Sequence, residues 1–133
     1  MENFSFDLVT PEAVFFSGKV ISVEAPGSEG DFGIFPGHEA FVSTLRPGIV
    51  TVYGEGDRQK RIFVASGIAE ANGDSCSILA ENIVDLDNFS RQDAETRLEK
   101  AKDILENTFE EVAKEDAAHE VKIAEALLAA IEA

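Results

Sequence analysis

The residues with the most chemical character lie in Pro26-Gly-Ser-Glu-Gly-Asp-Phe-Gly-Ile-Phe-Pro-Gly-His38, where four glycines and two prolines flank acidic and aromatic side chains. Glycine-rich loops of this kind can cradle phosphate when converging amides are followed by a lysine. Here the spacing is Gly-x-x-Gly-x-x-Gly, no lysine follows, and Glu29 and Asp31 would repel the anion, so a phosphate loop is excluded. Two readings remain. In one, the stretch is a pair of turns with Phe32 and Ile34 packed inward; in the other, it is a preshaped recognition loop on a rigid sheet. His38 and Glu39 are neighbours, and neighbours on an extended strand point to opposite faces, which argues against an acid–base pair and for a capped or interface histidine. A small hydrolase using Asp31, His38 and Glu39 is the third reading in rank. His119 has Glu115 at i−4 on a helix, enough for a solvated ion pair. Two histidines and one cysteine match no common zinc spacing, and no serine has a nucleophile-elbow context. No metal site, cofactor or catalytic residue is expected, and a binding or structural role is favoured over an enzyme.

The elements that must carry these residues fall into two grammars. All ten glycines lie between Gly18 and Gly73 and all four prolines between Pro11 and Pro47. Strand-like runs recur at Phe4 to Val9, Val20 to Ala25, Phe32 to Phe35, Ile49 to Tyr53, Ile62 to Ala65 and Ser75 to Leu79, with Pro/Gly turns between them, including Asn72-Gly73 as a tight hairpin of positive φ. This predicts an antiparallel all-β sandwich or barrel over residues 1–84. In Val20 to Ala25, Ile21, Val23 and Ala25 should share the core face, with Val20, Ser22 and Glu24 on the other. From Asp85 the period changes to helical. A stripe of Ala94, Leu98, Ala101, Leu105 and Phe109 follows Ser90, an N-cap with Asp93 completing a capping box, and a second stripe runs Ala117, Val121, Ala124, Leu128 and Ile131. Residues 85–133 are therefore expected to form an antiparallel α-helical hairpin, turning around Glu111 to Asp116.

Charge narrows the partners. The chain of 133 residues carries 26 acidic and 11 basic side chains, a formal net charge of −15, divided as −7 over residues 1–84 (12 acidic, 5 basic) and −8 over residues 85–133 (14 acidic, 6 basic). Nucleic acid and anionic membrane surfaces are poor partners for such a chain. The lone Cys76 and an opening without secretory character fit a reducing cytoplasm. The apolar run Ala126 to Ile131 falls far short of the roughly 20 residues a spanning helix needs, so no direct membrane insertion is expected.

Gly27-Ser-Glu-Gly-Asp-Phe-Gly-Ile-Phe-Pro-Gly-His38, followed by Leu45-Arg-Pro-Gly-Ile-Val50, resembles the epsilon subunit of bacterial F-type ATP synthases; Phe6-Asp-Leu-Val-Thr-Pro, Phe16-Ser-Gly18 and Val64-Ala-Ser-Gly-Ile68 extend the match over nearly the whole chain. The resemblance implies a β-sandwich followed by a helical hairpin, set in the central stalk at the cytoplasmic face of the bacterial inner membrane. Its partners would be the gamma subunit and the polar loops of the c-ring, with the alpha/beta catalytic head reachable by the hairpin. By position, Ser28, Glu29, Gly30, Asp31 and His38 would meet the c-ring, and Thr10, Glu39, Ala40, Phe41 and Val42 would meet gamma. The implied work is torque coupling, for which no catalytic group is needed.

The hairpin departs from the family. The nucleotide motif Ile/Leu-Asp-x-x-Arg-Ala aligns with Phe89-Ser-Arg-Gln-Asp-Ala94, which puts Ser90 and Asp93 where the acid and the arginine belong, and no arginine follows Arg97. An acidic hairpin poor in guanidinium groups is ill-suited to phosphate, so no nucleotide site and only weak inhibition of hydrolysis are expected. The alternative reading is a free-standing sandwich that binds a small ligand under the Gly27 to His38 loop.

Overall fold

The computed structural model describes residues 2–56 and 58–132. Among them ten strands precede the helices: β1 Phe4–Val9, β2 Val14–Val20, β3 Ser22–Gly27, β4 Gly30–Ile34, β5 Phe41–Leu45, β6 Gly48–Tyr53, β7 Gln59–Val64, β8 Ser66–Ala71, β9 Ser75–Glu81 and β10 Val84–Asp85. They pair in the order β10-β7-β6-β3-β5-β8-β9-β1-β2, with β4 beside β3. Neighbours are antiparallel except β1 and β9, which run parallel with Ser5 opposite Ser75 and Val9 opposite Leu79. The inward faces close on one core around Phe4, Phe6, Leu8, Val23, Ile34, Val50, Ile62, Val64 and Ile78, all at most 2% exposed. Each such side chain contributes about 1.5–3 kcal/mol through burial. A β-sandwich followed by a helical hairpin is the architecture expected from the sequence.

Differences of detail have local causes. β2, β5 and β8 are longer or newer than the strand runs suggest, because β2 (VFFSGKV) is an edge strand and β8 (SGIAEA) presents only alanines inward. Val20 does not belong to the strand that follows it. It ends β2 and is buried; the Ile21 amide donates to Tyr53 O (2.8 Å) and β3 begins at Ser22, with Val23 and Ala25 buried and Glu24 exposed. The Asn72-Gly73 turn uses no positive φ. Instead the Asn72 side-chain oxygen accepts from the amides of Asp74 and Ser75 and from the Ser75 hydroxyl, at 3.0–3.1 Å.

The chain divides into two compact units, residues 1–87 and 88–133. In the second, α1 Arg91–Glu106 starts at the Ser90 cap, whose hydroxyl accepts from the Asp93 amide (3.0 Å) while the Asp93 carboxylate accepts from the Ser90 amide (3.3 Å). Asn107 ends it, donating from its side chain to Asp103 O (2.8 Å), so Phe109 lies beyond the helix and is 88% exposed rather than continuing the stripe. The turn is Asn107 to Glu110, and Glu111 to Asp116, read as the turn, opens α2 Glu111–Glu132. The buried face of α2 is Ala117, Ile123, Ala124, Leu127 and Ala130; Val121, Leu128 and Ile131 flank it half-buried. Small residues at Ala94, Ala101, Ala117 and Ala124 let the two backbones approach closely.

Candidate functional site

The glycine-rich stretch folds into the β3–β4 hairpin and the turn that follows it. Gly27 pairs with Gly30, leaving Ser28 and Glu29 as a two-residue tip. A Cβ at Gly27 would stand 2.5 Å from Gly30 O and 2.8 Å from the Phe32 ring, so only glycine fits that approach. Bonds from the β5–β6 segment brace the tip. The Ser28 amide donates to Thr44 O (2.9 Å), the Ser28 and Thr44 hydroxyls share a bond of 2.7 Å, and the Arg46 amide donates to Pro26 O (2.9 Å). The Arg46 guanidinium donates to both Gly27 O and the Asp31 carboxylate. Glu29 is exposed and makes no ion pair among the described residues, so it is the acid that the tip presents freely, whereas Asp31 is already paired.

His38 lies beyond the far end of β4, in the turn Phe35-Pro-Gly-His38, where Gly37 takes φ +79° and the His38 amide donates to Phe35 O (3.2 Å). Its ring nitrogens face Phe35 O (2.7 Å) and Ser75 O (3.1 Å), and the ring meets Phe4 edge-on at 5.2 Å. A neutral ring donates to only one of these carbonyls at a time. His38 therefore pins the β4–β5 connection to the start of β9 and is not part of the Ser28–Asp31 tip. Asp31 and His38 sit at opposite ends of β4, and no acid–base constellation with Glu39 assembles. His119 is exposed and makes no ion pair with Glu115 among the described residues.

The other expected contact residues sit along the outer sheet face. Glu39 and Ala40 are exposed in the connection, Val42 is 68% exposed on β5, and Phe41 turns inward, packing edge-on against Phe32 at 5.1 Å. Ala40, Val42, Glu70 and Ser77 line a shallow groove of about 530 Å³. Thr10 closes the β1–β2 turn with Ala13, its amide donating to Ala13 O (2.8 Å). The register carries an apolar row across this face. Ile68 lies opposite Leu79, Leu79 opposite Val9 and Val9 opposite Val14, with Ile68, Leu79 and Val14 exposed at 44%, 46% and 66%. The sequence reading missed this row because its members come from four strands. The sequence reading also gives Arg46 no bracing role, because its partners Gly27 and Asp31 lie in another hairpin.

In the hairpin unit Arg91 bonds both Glu95 and Glu132 at 2.9 Å, and Arg97 lies 3.8 Å from Glu120. Both guanidinium groups are held by carboxylates, and Ser90 and Asp93 are occupied as the cap of α1. Among the described residues no cluster of histidine, cysteine and acidic side chains could hold a metal ion, and no helix is long and apolar enough to cross a membrane.

Comparison with known proteins follows the same outline. The family model described as ATP synthase, Delta/Epsilon chain, beta-sandwich domain matches residues 3–85. The ATP synthase epsilon chain of Rhodospirillum rubrum is 45% identical over 129 residues, covering 97% of this chain and 96% of that one; the epsilon chain of Paramagnetospirillum magneticum is 35% identical over 130 residues, covering 98% of each. The fold is shared with a chain in the cryo-EM structure of the Euglena gracilis mitochondrial ATP synthase, OSCP/F1/c-ring in rotational state 1, with a TM-score of 0.80 at 24% identity over 97% of this chain and 81% of that chain. A chain of the Tetrahymena thermophila mitochondrial ATP synthase central stalk and c-ring aligns with a TM-score of 0.65 at 14% identity, covering 96% and 97%. On the family model and the two full-length relatives together, the chain belongs to the ATP synthase epsilon-chain family.

Proposed function

We propose that the chain is a non-catalytic rotor subunit that holds the gamma subunit and the c-ring of an F-type ATP synthase in fixed register, at the cytoplasmic face of the membrane. Residues 1–84 supply the rotor contacts. The Ser28–Asp31 tip meets the polar loops of the c-ring, with Glu29 as the free acid and Arg46 keeping the tip rigid, so little conformational entropy is lost on docking. The outer face holding Val42, Glu39, Ala40 and the Ile68–Leu79–Val9–Val14 row meets gamma, and Thr10 borders it. His38 acts on this second contact by fixing the β4–β5 connection.

The observation that carries this reading is the exposed apolar row on an otherwise acidic sandwich, since a patch of that kind marks a protein interface. Torque transmission asks for two rigid contacts on one body, and the braced tip and the sheet face supply both. The test is site-specific cross-linking in the assembled enzyme. Glu29→Cys should cross-link to a c-ring loop and Val42→Cys to gamma, each with abolished rotation-coupled synthesis. Exchange of the two partners, or reaction of neither, would refute the assignment. The hairpin has the weaker role: with both arginines engaged by acids, it neither binds nucleotide tightly nor restrains hydrolysis strongly, although it can reach the alpha/beta head.

A further inference from the structure

The hydrogen-bonded path of strands ends at β2 on one side and at β10, which pairs with β7, on the other; β2 and β7 come close across the gap, where Lys60 of β7 stands over Phe15 of β2 and both strands line one cavity. β10 backs β7 only at Ile62 and Phe63, and β2 pairs only with β1. At a bulge in β2, Phe15 is left without a partner across the ladder, and its ring lies under Lys60 Nζ at 5.8 Å. Between these ends the sandwich opens into a cavity of about 430 Å³. Its floor is apolar, made by Phe16 and by the core residues Val20 and Val52; among the described residues its rim carries Lys19, Arg58 and Lys60 against one acid, Glu55. Lys60 is shared with Asp85 at 3.3 Å, whereas Lys19 and Arg58 make no ion pair among the described residues.

The charge distribution is the unusual part. Residues 1–84 contain five basic side chains, Lys19, Arg46, Arg58, Lys60 and Arg61, and three of them border this one opening. Exposed cations on a strongly acidic chain concentrate the local positive field at that spot, and an apolar floor beneath them offers a second, independent source of affinity. The volume falls within the range that holds small organic ligands, and a few cations converging over an apolar floor is the usual composition of such sites. A phosphate or acetate would leave the floor unfilled, and a neutral alkane would leave the rim unpaired.

We propose that the seam binds a single-chain anionic amphiphile, a carboxylate or phosphate monoester carrying one short alkyl tail, with the head on Lys19 and Arg58 and the tail on Phe16, Val20 and Val52. This site is separate from both rotor contacts and does not depend on them.

The test is an NMR titration of the full-length chain with decanoate and decyl phosphate, alongside acetate as the head alone and 1-octanol as the tail alone. The expected result is saturable one-to-one binding of an amphiphile below about 1 mM, with shifts confined to amides around Lys19, Val52, Gly54 and Lys60; the tighter of the two amphiphiles identifies the head group. Lys19→Gln with Arg58→Gln, both at exposed positions, should weaken it at least about 10-fold without altering the rest of the spectrum. Lys100→Gln with Lys102→Gln, the same charge change on the hairpin, should leave it unchanged. Absence of saturable binding overturns the proposal, as does equal binding of 1-octanol. Equal weakening by the hairpin variant would reduce the effect to net charge and overturns it as well.

Discussion

Arg46 does at the residue scale what a disulfide does elsewhere: it ties two segments 15 and 19 positions apart through one planar group that donates to the Asp31 carboxylate and to Gly27 O. The pair is partly solvated, so removing it should cost little global stability, within about 1 kcal/mol. Arg46→Ala is therefore expected to leave the thermal midpoint nearly unmoved while raising amide exchange at Ser28–Asp31, measured by hydrogen–deuterium exchange. Equal protection in the variant would show that the backbone bonds from Thr44 suffice. Cys76 makes the opposite case, a residue whose environment is set entirely by the core. Burial pushes its thiol up from the ordinary value of 9.0 to about 12. The folded state thus holds the proton more tightly than the unfolded chain, so this contribution is complete below pH 9 and is lost as pH rises toward 12. Native chain at pH 8 should resist iodoacetamide and become labelled in urea, and stability should fall through the pH 9 to 12 window. The residue types at the tip were legible from the motif alone. That Asp31 is paired and Glu29 free was not, because the partner arrives from another hairpin and only the register decides it.

At the scale of elements, local chemistry was the readable part. Ser90 and Asp93 form a complete capping box in four residues, and the start of α1 follows from them. Ser90→Ala should cost about 1 kcal/mol of hairpin stability, seen as a shift in helix melting by circular dichroism. Phe109→Ser should change stability by less than about 0.5 kcal/mol despite removing an aromatic ring, because that ring is 88% exposed. A large loss from Phe109→Ser would mean that the ring is packed in solution. Periodicity alone extended the α1 stripe to Phe109, since the 3.6-residue spacing continues; the side-chain bonds of Asn107 and Thr108 to the last carbonyls stop the helix first. Of the strands that escaped notice, β2 and β8 lack strong alternation. One is a mostly exposed edge and the other packs alanines, so their existence depends on neighbours distant in sequence.

For the whole molecule, charge sets what the hairpin can do. Residues 88–132 offer two arginines, both engaged by glutamates, and four lysines on an acidic background. Calorimetry with ATP should show no saturable binding below about 1 mM, and deleting residues 88–133 in the assembled enzyme should leave ATP hydrolysis within a few-fold of its starting rate. A many-fold rise would show that the hairpin restrains the head by contacts other than ion pairs. The sandwich has a further property, which lies in the order of its assembly. β1 leaves the ribosome ahead of the other nine strands, yet its parallel partner β9 lies seventy positions later, Ser5 opposite Ser75, and Phe4, Phe6 and Leu8 have no complete core until that strand exists. The cost of closing so long a loop is met before its contacts are made, which slows folding. During synthesis those three apolar residues wait through nearly the whole unit, with β2 alone to pair against, so this strand stays open until β9 emerges and is the one that a chaperone would meet.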